Sequence, residues 1–287
     1  MSSPGRVWSQ DQAAGLRRLF KSHSSLTVAF VAGMPGVGTT RFLAETAVQL
    51  AARDQDVLLV DEQGGTGNCT AALGVGYRFD LGQALDGDLT VEQVLVPIRD
   101  KLKVLPAAKA VRMLRQNEVS GRQKLAARLA ATWRKQNFVL VDAGLEEGGQ
   151  PLSLLSRTAS HIVLVVGPGT TAVTASYLLV KRLAVAYPAA RLLIAVSRAR
   201  NEEEARGIAT NLQAVARQHL GLDLGWFGWV PQDASWRDGG AAFTTSPAVQ
   251  ACANLAQTLL QFASLPDANG LKTSVSGRPA VMHNIPA

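Results

Sequence analysis

The segment best suited to chemistry is glycine-rich and lies between two stretches of regular structure. Residues 33–41, GMPGVGTTR, follow the apolar run LTVAFVA and precede the amphipathic stretch FLAETAVQLAA. In a phosphate-binding loop, glycines let several backbone N–H groups point at one phosphate, and the following helix adds its positive N-terminus. A hydroxyl where that helix opens can bind Mg²⁺. The spacing predicts phosphate contacts from Gly36, Val37, Gly38, Thr39 and Thr40, with Thr40 also at the metal.

The same segment lacks the lysine that this chemistry normally uses. A standard loop carries a lysine immediately before the metal-binding hydroxyl, and Thr39 occupies that position here. Because a hydroxyl carries no positive charge, we expect the affinity for a triphosphate to fall unless another cation substitutes. Arg41 is two residues further on and is expected to point along the helix, so it is a weak substitute.

Two aspartates mark the ends of predicted strands. Asp61 ends the run DVLLVD, about twenty residues after the loop, and Asp142 ends FVLVD, about a hundred residues after it. Open α/β sheets bind their ligands at the carboxyl ends of their strands. Carboxylates there commonly hold Mg²⁺ directly or through water. With Thr40, these two residues are the candidate metal ligands.

Strand-like apolar runs and helical stretches alternate along most of the chain. Several runs, such as HIVLVVG and RLLIAVS, are apolar on consecutive residues, as strands buried on both faces are. This alternation predicts an α/β fold with a mostly parallel, doubly wound sheet and helices on both faces. The predicted domain covers residues 25–265, with a helix-like N-terminal segment at 1–24 and a Pro/Gly-rich tail at 266–287.

The order of these blocks resembles that of the MinD/ParA-type deviant Walker ATPases over roughly residues 26–260. The blocks are the glycine loop, LLVDEQGGTGNCTAALGV, FVLVDAG, HIVLVVGPGTTAVTASYLLVKRL and GWVPQDASWR. The resemblance implies a P-loop NTPase fold that binds ATP and Mg²⁺ and dimerises with nucleotide between the subunits. An active ATPase switch that cycles between monomer and ATP dimer is therefore one functional hypothesis.

Four positions depart from that family's pattern. The family's loop, K-G-G-x-G-K-[ST], falls on Met34–Thr40, so Met34 and Thr39 replace both of its lysines. Gln63 stands in place of the carboxylate that positions the attacking water, and Ser197 in place of an adenine-reading asparagine. These departures together predict a degenerate ATP site with weak or no hydrolysis.

The N-terminal segment carries a second resemblance. Its stretch DQAAGLRRLF precedes the predicted domain and contains D-Q-A-x-x-L-R. This motif resembles that of the flagellar-number regulators of the FlhG (FleN) family, which bind a signal-recognition-type GTPase, FlhF, and stimulate its GTP hydrolysis. The resemblance implies partner binding by Asp11, Gln12, Ala13, Leu16 and Arg17. Gln12 would act in trans, since a glutamine amide can orient water at a γ-phosphate. A helix packed against the domain is the alternative interpretation.

Charge and hydropathy bear on the remaining partners. The net charge is +7, and residues 99–135 hold 11 Lys or Arg against two acidic residues. A basic region of this kind favours a solvated helix face or, as in ParA-type partition proteins, nonspecific DNA binding. The C-terminal stretch PAVQACANLAQTLLQFASL is amphipathic but lacks basic residues, which predicts packing on the domain and weak or no membrane contact. With no secretory signal, we expect a cytoplasmic protein recruited to the cell pole or inner membrane by partners.

Overall fold

The computed structural model describes residues 25–116, 129–146, 150–234 and 246–264. Within them, eight strands form one sheet in the order β3-β4-β2-β5-β1-β6-β7-β8. All neighbouring strands are parallel except β3 and β4, which are antiparallel. This confirms the predicted α/β class with a mostly parallel sheet. The predictions for segments 1–24 and 266–287 lie outside the described residues.

The strands are short and mostly buried on both faces. They are β1 (Leu26–Ala32), β2 (Val57–Asp61), β3 (Val96–Arg99), β4 (Leu102–Pro106), β5 (Phe138–Asp142), β6 (His161–Val166), β7 (Arg191–Ala199) and β8 (Gly225–Pro231). Each of these strands except β3 coincides with a strand-like apolar run of the sequence, such as LKVLP for β4 and GWFGWVP for β8. The residues of β3 are alternately exposed and half-buried. An edge strand with little buried apolar surface gives a weak apolar signal.

Helices fill the connections between strands. They are α1 (Thr39–Ala51), α2 (Cys69–Ala72), α3 (Leu81–Asp86), α4 (Val91–Val94), α5 (Ala108–Gln116), α6 (129–134), α7 (Thr170–Ala186), α8 (Glu202–Leu220) and α9 (Pro247–Ser264). Local signals set several ends. On α8, for example, the Asn201 side chain accepts from the Glu204 N–H and Gly221 ends the helix in the left-handed conformation.

Two apolar cores lie on opposite faces of the sheet. Successive residues of β1 point alternately into them: Ala29 and Val31 into one core, and Val28 and Phe30 into the other. Helices α7 and α8 cover the first face, whereas α1 and α9 cover the second. The C-terminal stretch forms α9 and packs on the domain, as predicted. Its residue Leu259 is fully buried. No described helix combines the length and the apolar character needed to span a membrane.

Candidate nucleotide site

The glycine-rich loop joins β1 to α1 at the carboxyl edge of the sheet. Gly36 and Gly38 have φ angles of 80° and 91°, a left-handed conformation that glycine adopts without strain. Gly33 approaches α7 so closely that an added Cβ would lie 2.6 Å from the carbonyl carbon of Ala175. The Val37 side chain is buried, so this predicted contact residue can offer a ligand only its backbone. The loop thus has the curled backbone predicted from its glycines.

Thr40 and the two aspartates meet beneath this loop. Strands β2 and β5 are neighbours, and Asp61 and Asp142 occupy paired positions in their register. The Thr40 hydroxyl donates to Asp142 Oδ2 at 2.6 Å. Asp61 accepts from the backbone N–H groups of Cys69 at 2.7 Å and Gln63 at 3.0 Å. The structure therefore brings together the three residues proposed as metal ligands from sequence.

The electrostatics of this cluster favour a cation. Burial raises the pKa of Asp142 to about 7, opposed by the Thr40 hydroxyl and increased by the neighbouring Asp61 charge. Burial likewise raises the pKa of Asp61 to about 6. Asp142 Oδ1 is buried and has no hydrogen-bond partner in the described part of the chain. A divalent cation would compensate both carboxylate charges and occupy such an oxygen, so these residues fit Mg²⁺.

Cys69 is a member of the cluster that the sequence analysis did not assign to it. Its thiol donates to Asp142 Oδ2 at 3.5 Å, and potential ligand atoms of Cys69, Asp61 and Asp142 lie within 4.8 Å of one another. Burial and the two carboxylates raise the pKa of this thiol well above its usual range. Cys69 and Cys252 are both buried free thiols. Cys69 is the first residue of α2 and follows Asp61 by eight residues. This short spacing was the only signal in the sequence for its location.

The four positions that depart from the family pattern also lie around the loop, and none offers a charge. Met34 and Thr39 line the cavity, and the Thr39 hydroxyl is buried without a hydrogen-bond partner among the described residues. The Gln63 amide donates to the Ala143 carbonyl at 3.1 Å, which commits it to holding the segment after β5. Ser197 is buried, and its Oγ would lie 3.4 Å from a Cβ added to Gly38.

Two further residues that sequence analysis missed support the site from outside it. Arg198, at the end of β7, donates to the Gly36 carbonyl at 2.8 Å. Glu62 is buried directly after Asp61 and accepts from the Ser153 hydroxyl at 2.5 Å and the Ser156 hydroxyl at 2.6 Å. These partners are about ninety or more residues away along the chain, so no local pattern could reveal them.

A cavity of about 730 Å³ opens between the loop, α2 and the end of β5. Its lining includes the glycine loop, the segment after β2 and the first residues after β5. The predicted site residues among them are Gly36, Gly38, Thr39, Thr40 and Asp142. Asp61 is buried and does not line the cavity. A cavity of this size is sufficient for a nucleotide.

Some of the predicted contacts cannot be placed. Asp11, Gln12, Ala13, Leu16 and Arg17 lie outside the described residues, as does the central part of the basic region, 117–128. The described remainder of that region forms β3, β4, α5 and α6.

Comparison with known proteins agrees with this geometry. No protein-family model matches the sequence. The chain is similar to the antiactivator FleN of Pseudomonas aeruginosa, with 24% identity over 222 residues, 77% of this chain and 79% of that protein. The fold matches the MinD cell division protein of Aquifex aeolicus with a TM-score of 0.66 and 20% identity, over 82% of this chain and 97% of that one. It also matches MinD of Pyrococcus horikoshii complexed with Mg-ADP, with a TM-score of 0.63 and 20% identity, over 84% and 98% of the two chains.

The chain therefore shares its fold with MinD and with a ParA family ATPase of known structure. In sequence, the relative to which it is similar is the antiactivator FleN.

Proposed function

We propose that this chain is a MinD-like regulator of bacterial flagellar number or assembly that binds nucleotide and Mg²⁺ but hydrolyses ATP weakly or not at all. The observation that carries the nucleotide part is the hydrogen bond from Thr40 to Asp142 beneath a left-handed glycine loop. A cation would bind the unpartnered Asp142 Oδ1 and would compensate the charges of Asp61 and Asp142, whose pKa values are raised. The similarity to an antiactivator and the N-terminal motif support the regulatory part.

Weak hydrolysis follows from what the site lacks. A phosphoryl-transfer site needs cationic groups beside the transferred phosphoryl and a residue that orients the attacking water. Thr39 carries no charge, and the Gln63 amide is already bonded to the Ala143 carbonyl. Nucleotide would therefore act as a bound ligand that sets the conformation of the loop, with little turnover.

Calorimetric titration with ADP and ATP, with and without Mg²⁺, combined with a phosphate-release assay tests this proposal. We expect binding that depends on Mg²⁺, with no more than trace turnover. Asp142→Asn should lose the Mg²⁺ dependence because it removes a carboxylate charge from the cluster. Asp223→Asn, at an exposed aspartate far from the loop, should bind like the wild type.

The alternative is an active ATPase switch that cycles between monomer and ATP dimer, as the family resemblance implies. The same Thr40, Asp61 and Asp142 arrangement supports it. Rapid phosphate release together with ATP-dependent dimerisation in analytical ultracentrifugation would favour that alternative and contradict the degenerate-site proposal.

For the regulatory action, we propose that residues Asp11–Arg17 bind a signal-recognition-type GTPase of the FlhF kind and stimulate its GTP hydrolysis. Gln12 would orient the attacking water at the partner's γ-phosphate. Such a regulator would work in the cytoplasm and reach the cell pole or inner membrane through its partners. The N-terminal motif and the similarity to FleN support this proposal.

The test is to mix the full-length protein with the purified GTPase and measure GTP turnover. Gln12→Ala should lower the stimulation at least about tenfold, because water-orienting groups contribute strongly to phosphoryl transfer. Gln10→Ala, the same substitution two residues earlier, should leave it unchanged. Equal stimulation by the wild type and Gln12→Ala would show that Gln12 has no such role.

A further inference from the structure

Arg198 contacts the glycine-rich loop from the side opposite Asp142. It follows Ser197 near the end of β7, and the pairing of β7 with β8 skips it: Ser197 pairs with Val230 and Ala199 with Pro231. Its φ angle is 64°, a left-handed conformation that costs energy for a residue other than glycine. Bulges and strained residues of this kind redirect side chains and cluster at functional sites.

The bulge directs the Arg198 side chain across the loop. One guanidinium nitrogen donates to the Gly36 carbonyl at 2.8 Å, and Cδ would lie 3.7 Å from a Cβ added to Gly38. Both glycines line the cavity. A guanidinium has several N–H donors in a planar fork, so the bond to Gly36 leaves others for a ligand. The charge is thus held against two glycines of the loop that lines the cavity.

The loop lacks the lysines of the family pattern, and Arg198 could supply a positive charge in their place. Met34 and Thr39 stand where a deviant Walker loop has lysines, and the Thr39 hydroxyl is buried without a partner in the described ranges. Phosphates at a glycine loop are stabilised by charge as well as by backbone N–H groups. Two arginines of the described residues lie near this loop. Arg41, which follows Thr40 on α1, lines the cavity, whereas Arg198 does not line it but is hydrogen-bonded to the loop's own backbone at Gly36.

We propose that Arg198 replaces the missing loop lysine and binds the phosphates of the nucleotide from β7. This inference rests on the proposed nucleotide binding. The guanidinium keeps its bond to Gly36 and donates further hydrogen bonds to phosphate oxygens, so the loop backbone and Arg198 hold the anion together. A purely bracing role for Arg198 would stabilise the loop without discriminating among ligands by their phosphates.

The test is calorimetric titration of the full-length protein with ADP, AMP and adenosine in the presence of Mg²⁺. Arg198→Asn removes the charge while tolerating the left-handed backbone. It should weaken ADP binding roughly 10- to 100-fold, as expected for loss of a charge-assisted hydrogen bond, and adenosine binding much less. Arg200→Asn is the matched control, because Arg200 is exposed and paired with Glu204. It should change ADP binding by less than about twofold.

A second variant tests the replacement directly. Thr39→Lys restores the lysine of the standard loop, so in the Arg198→Asn background it should recover most of the lost ADP affinity. Thermal unfolding of each variant confirms that the fold is retained. Wild-type ADP affinity in Arg198→Asn, equal losses for ADP and adenosine, or no recovery in the double variant would each overturn the role of Arg198. Absence of ADP binding by both the wild type and Thr39→Lys would instead contradict the nucleotide site itself.

Discussion

At the scale of single residues, the site is dominated by carboxylates removed from water. Asp61, Glu62 and Asp142 are each less than a tenth exposed. Hydrogen bonds from Thr40, from backbone N–H groups and from two serine hydroxyls offset part of the cost of burying them. Burial still dominates, so each pKa is raised above its usual value. Ionisation of these groups therefore destabilises the folded protein.

Glu62 makes this effect measurable away from the cavity. Burial raises its pKa from 4.5 to about 7, opposed by the hydroxyls of Ser153 and Ser156. A folded-state pKa above the unfolded one means that the folded protein holds the proton more tightly. Its stabilising contribution is fully present below pH 4.5 and is lost as pH rises through 7. Between pH 5 and 8 the free energy of unfolding should fall by about 1–3 kcal/mol from this group.

Urea denaturation at pH 5, 6, 7 and 8 in Mg²⁺-free buffer checks this prediction. Glu62→Gln should make the pH dependence shallower than that of the wild type, because an amide does not titrate. A slope from Asp61 and Asp142, whose pKa values are also raised, remains in both proteins. Glu203→Gln, at an exposed glutamate on α8, should keep the wild-type slope. The prediction is wrong if Glu62→Gln and the wild type lose stability in parallel.

At the scale of elements, the position of the loop depends on the contact between the end of β1 and α7. A Cβ on Gly33 would lie 2.6 Å from the carbonyl carbon and 2.7 Å from the carbonyl oxygen of Ala175. Helix backbone cannot yield as a flexible side chain can, so any side chain at Gly33 must push β1 and α7 apart. The glycine here serves close packing of two elements, and a phosphate contact is not needed to explain it.

Gly33→Ala should therefore lower the free energy of unfolding by about 1–3 kcal/mol, the usual cost of overpacking. It should also weaken nucleotide binding, because the loop that follows Gly33 shifts with the strand. Gly67→Ala is the control, since a Cβ there meets nothing within 4 Å and Gly67 also lines the cavity. Urea denaturation of the two variants measures the difference. Equal stabilities would show that β1 and α7 separate at little cost.

At the scale of the whole molecule, the strand order places the loop where ligands bind in open α/β sheets. Strand β1 lies between β5 and β6. The connection after β1 runs to β2 on one side of it, whereas the connection after β5 runs to β6 on the other side. The loop after β1 opens into the crevice at this reversal. Asp142 at the end of β5 and Arg198 at the end of β7 lie on either side of it. The neighbouring strands thus bring acidic and basic groups to opposite sides of one loop.

Much of the fold and part of the site were predictable from sequence. Buried parallel strands read as continuous apolar runs, and a glycine-rich turn and strand-end aspartates are recognisable within short windows. This is why β1, the loop and the ends of β2 and β5 were identified correctly. The edge strand β3 was not, because its half-exposed residues resemble those of a loop.

The sequence by itself determined the glycine-rich loop, the α/β class and the absence of loop lysines, because these depend on residue type and local spacing. Only the tertiary structure decided how the site is supported. Arg198 and Gly36 are 162 residues apart, and Glu62 reaches serines more than ninety residues away. Contacts of that range depend on strand order and register, which bring the ends of distant strands to one edge of the sheet.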